Sequence, residues 1–113
     1  MNDKSWRDTV KKGVASSKPV YAAQVATYQA YMEASIPGIS QNPALFTAIN
    51  KDSQEIWFEL LPFDGDLAQR MSDRAVRVLA ATDAGEVLPR AFHDPTHFEC
   101  RMCAWQDRCW SLK

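Results

Sequence analysis

From Val20 to about Ala34 the apolar and aromatic positions return every three or four residues. Tyr21, Val25, Tyr28 and Met32 stand at i, i+4, i+7 and i+11, which predicts a helix with that set as its buried face. Gln24, Tyr28 and Tyr31 form a second stripe with the same spacing, a polar and aromatic edge beside the apolar one. Pro19 suits the first turn of this helix. Ahead of it, Asn2 or Asp3 can cap a shorter helix over "DKSWRDTVKK" that stops at Gly13, and Ser16 to Pro19 reads as the linker.

Beyond the turn-forming "IPGISQNP" the period shortens. "ALFTAIN" and "EIWFELL" are rich in branched and aromatic residues and flank "KDSQ", which predicts an antiparallel hairpin with a four-residue loop. Both sides of it carry apolar groups, Leu45 and Ile49 on one and Phe46 and Ala48 on the other, so cover is expected on two faces. A hairpin of two strands is only marginally stable by itself, so helices or another chain must support it. Asp64 then looks like an N-cap. Leu67, Met71, Ala75, Val78, Leu79 and Thr82 predict the inner face of a long helix up to Gly85. A proline-punctuated loop, "EVLPRAFHDPTHF", leads to the cysteines. The class is α+β, helices packed on a β-hairpin with a Cys-rich tail. Residues 1–113 read as one domain, divided into an N-terminal helix and linker (1–18), an α-ββ-α core (19–85) and the tail (86–113).

Composition adds exclusions. With 46% hydrophobic and 24% charged residues the chain belongs with folded domains rather than disordered ones. Thirteen basic residues against fourteen acidic ones leave no bulk attraction to phosphate, so any nucleic-acid site must be local. No apolar run is long enough for a membrane span or a secretory signal, and a cytoplasmic location is expected, in the host cell if the gene belongs to a phage. In that reducing setting three cysteines within ten residues read as metal ligands or free thiols, not as disulfides.

Taken together, "KPVYAAQVATYQAYM", "ALFTAINKDSQEIWFELLPFD", the long helix, "LPR" and a closing C-x2-C-x5-C resemble the C-terminal half of RecB-like nucleases of the PD-(D/E)XK superfamily. Phage exonucleases related to the nuclease of CRISPR spacer acquisition are the nearest in pattern. The resemblance spans nearly the whole chain, and its most specific parts are Q-x3-Y at Gln24 and Tyr28 and the cysteine triplet. It implies a partial PD-(D/E)XK-like fold. In such nucleases an Asp, a Glu and a Lys two residues after the Glu hold Mg²⁺ or Mn²⁺ and position the attacking water. Those residues lie upstream of the matching stretch. Lys4, Lys11, Lys12, Lys18, Lys51 and Lys113 are preceded at that spacing by Asn2, Thr9, Val10, Ser16, Ile49 and Ser111, so no acidic-x-Lys triplet exists. No catalytic Mg²⁺ or Mn²⁺ is therefore expected. The implied function is that of a non-catalytic, phage-derived binding protein, with inhibition of a CRISPR or other nucleic-acid defence system as one role. The alternative is a C-terminal exonuclease module, active only with its upstream catalytic half.

Gln24 and Tyr28 would border a DNA path, or simply form an amphipathic helix edge; Lys11, Lys12 and Lys18 could meet backbone phosphates, or stay solvated. Cys100, Cys103 and Cys109 with His97 give H-x2-C-x2-C-x5-C, a donor set for tetrahedral Zn²⁺, with His93 four residues earlier. The competing readings are free thiols or the remnant of an iron–sulfur site whose fourth Cys lies upstream in relatives. Asp64, Asp66, Glu55 and Glu59 could hold a stray metal but read better as solvated caps. Partners are a protein or DNA, and the uncovered hairpin suggests a homodimer as well.

Overall fold

Asn2 starts the first helix. Its side-chain oxygen accepts from the Ser5 N–H at 2.9 Å and satisfies one of the donors that a helix start leaves open. The computed structural model describes residues 1–112, and in it α1 runs Asp3–Lys12, α2 Val14–Ser17, α3 Pro19–Met32, β1 Ala44–Ile49, β2 Ile56–Leu61, α4 Gly65–Ala84, α5 Phe98–Arg101 and α6 Gln106–Ser111. Among the described residues the fold is thus α+β, six helices and one antiparallel hairpin. The chain divides into two compact units, Met1–Val76 and the part from Arg77 onward.

In the first unit, Gly13 breaks α1 from α2. Its φ of +78° and ψ of +165° lie where only glycine is unstrained, and a Cβ there would come within 3.1 Å of the Glu59 carboxylate. That carboxylate accepts from the Val14 N–H at 2.8 Å, tying the start of α2 to β2. Ser16 and Ser17, expected to open a linker running to Pro19, are instead the end of this short helix. Ser17 closes the turn, its hydroxyl donating to the Gly13 carbonyl at 2.7 Å. Thr9 and Val14 are fully buried at this junction.

The buried face of α3 is not the predicted one. Tyr21, Tyr28 and Met32 are exposed and Val25 half-buried, while Ala26 and Gln29 are buried. Alanine lets a helix approach its neighbours closely, whereas the tyrosine rings would hold it off. The rings therefore lie at the rim, where Tyr21 meets Phe46 at 5.9 Å between ring centroids.

In the hairpin, Ala44 pairs with Leu61 and Ile49 with Ile56. Its loop is longer than expected, because Asn50 turns the chain itself. The Asn50 side-chain oxygen accepts from Asp52 N–H at 3.0 Å, its N–H donates to the Glu55 carbonyl, and its side-chain amide donates to Asp3 at 2.9 Å. The loop is fastened to the start of α1 in two further places. Asp3 N–H donates to Asp52 at 2.8 Å, while Met1 donates to the Ile49 carbonyl and accepts from Lys51 N–H, both at 2.9 Å.

Cover reaches only one face of the hairpin. Ala48 and Leu61 are buried, and Ala44, Phe46, Trp57 and Glu59 are half-buried; Leu45, Thr47, Ile49, Ile56, Phe58 and Leu60 are all exposed. The long helix is covered over part of its length only. Asp64 caps it by accepting from Leu67 N–H at 2.9 Å, and Leu67, Ala68 and Met71 are buried or half-buried. Ala75, Val78, Leu79 and Thr82 of the predicted inner face are exposed.

In the second unit, Gly85 at φ +68° ends α4, and the Glu86 N–H returns to the Ala81 carbonyl at 2.8 Å in the usual glycine-terminated manner. Arg90 organises the remainder of the tail. Its guanidinium donates to the carbonyls of Cys109, at 2.9 Å, and Leu112, and lies 4.7 Å from the centroid of the Trp110 ring. Gln106 adds a bond to the Pro95 carbonyl at 2.9 Å. No helix among the described residues is long and apolar enough to cross a membrane.

Candidate nucleic-acid interface and cysteine cluster

One face of α1 and the entry to α3 gather charge. Lys4, Arg7, Lys11 and Lys18 line one hollow of about 590 Å³ together with Asn2, Ser5 and Asp8, four cations against one carboxylate. Helical geometry explains the gathering, since Lys4, Arg7 and Lys11 are at i, i+3 and i+7 and share a face. Of the three lysines singled out in the sequence, Lys11 and Lys18 belong to this hollow. Lys12 does not line it and is engaged with Asp8 at 2.7 Å. That contact is the main reason the Asp8 carboxyl sits below its ordinary 3.8, with the charges of Lys18 and Lys11 adding to it. Lys4 and Arg7 were missed in the sequence, although the same three-and-four spacing that marks apolar faces was there to find them. Arg7 also contacts Asp3 at 3.0 Å, an exposed pair of small energetic weight.

Gln24 and Tyr28 are both exposed on α3, and the Gln24 amide donates to the Tyr28 hydroxyl at 2.6 Å. The hydroxyl keeps its own proton for another acceptor. Tyr31 is exposed one turn further on, with its hydroxyl 3.5 Å from Ser72. The pair forms a preset polar and aromatic edge in contact with solvent.

A second cavity, of about 580 Å³, is lined by α3, the end of β2 and the start of α4. Glu59, Asp64 and Asp66 reach it, whereas Glu55 does not. Two of these carboxylates already have structural work, Glu59 on Val14 and Asp64 as the α4 cap. Among the described residues no three His, Cys, Asp or Glu side chains are grouped as a metal would require.

The cysteine tail is no exception. Cys100, Cys103 and Cys109 do come to one place, a cavity of about 250 Å³ shared with Phe92, Trp110 and Arg90. His97 does not itself line this cavity, although Glu99 and Phe92, which it contacts, both do. Its Nδ1 accepts from the Glu99 N–H at 3.3 Å and its ring stacks on Phe92 at 3.9 Å between centroids. Cys100, Cys103 and Cys109 form no disulfide, and among the described residues these side chains and His97 are not assembled into a metal-binding group. His93 likewise takes no part in any such group.

Set against known families, curated proteins and solved structures, the chain finds no match in any of the three.

Proposed function

We propose that this chain is a non-catalytic nucleic-acid-binding protein with the build of the C-terminal half of a RecB-like nuclease. The observation that carries the reading is the hollow formed by Lys4, Arg7, Lys11 and Lys18, which supplies local positive charge to a chain with none in bulk. Phosphate oxygens are the ligands such a hollow accepts, as several flexible ammonium groups and one guanidinium can spread around an anion without reading bases. The exposed Gln24–Tyr28 pair and Tyr31 offer a hydrogen-bonding and stacking edge on the same unit. Hydrolysis is not part of the proposal, because no acidic-x-Lys triplet is present to hold catalytic ions. The biological role proposed with it is occupancy of DNA, by a phage-derived protein, in a way that inhibits a CRISPR or other nucleic-acid defence system.

Fluorescence anisotropy with labelled single-stranded and duplex DNA tests the reading. Three to four phosphate contacts predict that the logarithm of affinity falls with the logarithm of salt concentration at a slope of about −3 on duplex DNA, and Lys18→Ala should reduce that slope by about 1. Binding that ignores salt, or cleavage of the DNA once Mn²⁺ is added, would overturn it. A second reading is favoured by the exposed apolar face of the hairpin: the chain is the C-terminal module of an exonuclease and works only with its upstream half. Mixing the two and recovering Mn²⁺-dependent cleavage supports this one, and failure to associate counts against it.

A further inference from the structure

In the unit from Arg77 onward, three thiols that DNA binding does not use come together. Cys100, Cys103 and Cys109 line a single cavity of about 250 Å³ with Phe92 and Trp110. Their placement is not equal. Cys100 lies in α5 and Cys103 just beyond it, and the Cys103 N–H donates to the Cys100 carbonyl at 3.1 Å. A bond from residue i+3 back to residue i closes a turn whose Cα ends lie within about 7 Å. Disulfides join Cα atoms about 4.4–6.8 Å apart, so this turn holds the pair at bridging range. Cys109 stands on α6 and is tied elsewhere. Its N–H donates to the Trp105 carbonyl at 2.8 Å, and its own carbonyl accepts from Arg90 at 2.9 Å.

Access also separates the two members of the turn. Cys103 is exposed, and its sulfur accepts from the Trp105 N–H at 3.4 Å, a contact that orients it; Cys100 is half-buried. The exposed sulfur is the one that a small oxidant in solution meets first. The shielded one stands a single turn away, placed to react with whatever the first becomes.

We infer that Cys103 and Cys100 form a reversible oxidation site for a hydroperoxide, in which Cys103 reacts with the oxidant and Cys100 closes the bridge. In the first step the Cys103 sulfur takes one oxygen of the peroxide. The S–O bond forms as the O–O bond breaks, the sulfur is oxidised by two electrons, and the other oxygen leaves as water with the thiol proton. In the second step the Cys100 sulfur displaces the hydroxyl of this sulfenic acid. The S–S bond forms as the S–O bond breaks, and the hydroxyl leaves with the Cys100 proton as a second water. A dithiol reductant returns both thiols by exchange. In a reducing setting such a bridge is transient, which suits a sensor rather than a structural staple. Cys109 takes no part. The site uses no residue of the basic hollow, so oxidation here and DNA binding there stand or fall separately.

Trypsin parts the three thiols, because Arg101 and Arg108 place them on the separate peptides 91–101, 102–108 and 109–113. The reduced chain, kept in EDTA and treated with hydrogen peroxide, should fall from three titratable thiols to one. Its non-reduced map should join 91–101 to 102–108, and dithiothreitol should restore all three thiols. Cys100→Ser should stop at the sulfenic acid, trapped by dimedone on 102–108. Cys103→Ser should keep both of its thiols over the same exposure, and Cys109→Ser should bridge as the unaltered chain does. Three thiols left after peroxide, a bridge that includes 109–113, or oxidation of Cys103→Ser at the rate of the unaltered chain overturns the inference.

Discussion

Glu33 closes the turn after α3, accepting from the Gly38 N–H at 2.7 Å with one oxygen and from the Ser40 N–H at 2.8 Å with the other. The bonds from Ser40 and then Gly38 hold its carboxyl below the ordinary value of 4.5. A folded value below the unfolded one means that this stabilisation is fully present above 4.5 and is lost as pH falls through the lowered value. Glu33→Gln should therefore reduce Tm at neutral pH, and the gap between the two proteins should close as the solution is acidified below that range. Circular dichroism melts across pH test this, and a gap that does not depend on pH would contradict it. In the sequence Glu33 was only the tail of a helical stretch, because its partners come from the far side of a Pro-Gly turn that local pattern cannot place. The basic hollow was half legible for a related reason. Lys11 and Lys18 were picked out, whereas Lys4 and Arg7, at helical spacing from Lys11 within the expected first helix, were not, because periodicity was read for apolar residues alone.

The hairpin and its attachments carry the next level. Alternation and composition located both strands to within a residue, since a period of two in branched and aromatic side chains has few other solutions. The direction of cover was not readable. Apolar residues on both sides implied two covered faces, yet only the Ala48 side is covered, leaving Phe58 and Leu60 in solvent. Helix faces were misassigned by the same logic, because periodicity counts Tyr21 and Tyr28 as apolar while packing prefers Ala26. What holds the hairpin to α1 is Asn50, fully buried with its side-chain oxygen on Asp52 N–H and its amide on Asp3. Asn50→Ala would leave the Asp52 N–H and the Asp3 carboxylate without that partner. The expected loss is about 1–3 kcal/mol of stability, read as a lower urea midpoint at unchanged m-value. A loss near zero would mean that water replaces the side chain without cost.

At the scale of the molecule, the single domain expected from length meets a chain that separates into Met1–Val76 and the part from Arg77 onward. The reason lies in which side chains are withdrawn from water. Thr9, Val14, Ala26, Gln29, Ala48, Asn50, Leu61 and Ala68, all within the first unit, are the buried residues there, and among the described residues Ala81 is the one beyond it. Between Asp73 and Ala80 every residue of α4 is exposed, so the stretch of helix that crosses the boundary is held by its own backbone bonds rather than by packing. Composition gave no warning, because Ala75, Val78 and Leu79 have the spacing of a core face whether or not anything covers them. A fragment ending at Val76 keeps the hairpin, its fastening to α1 and the cap of α4 at Asp64, and should fold without the cysteine tail. Its ¹H–¹⁵N correlation spectrum is expected to superpose on the full chain for residues 1–70 or so, with shifts confined to the truncated end of α4. Collapse of peak dispersion in the fragment would show instead that the cysteine unit is needed for the hairpin to form. That outcome would make the tail part of the scaffold, whereas a superposable spectrum leaves Cys100, Cys103 and Cys109 free to be altered without loss of the basic hollow.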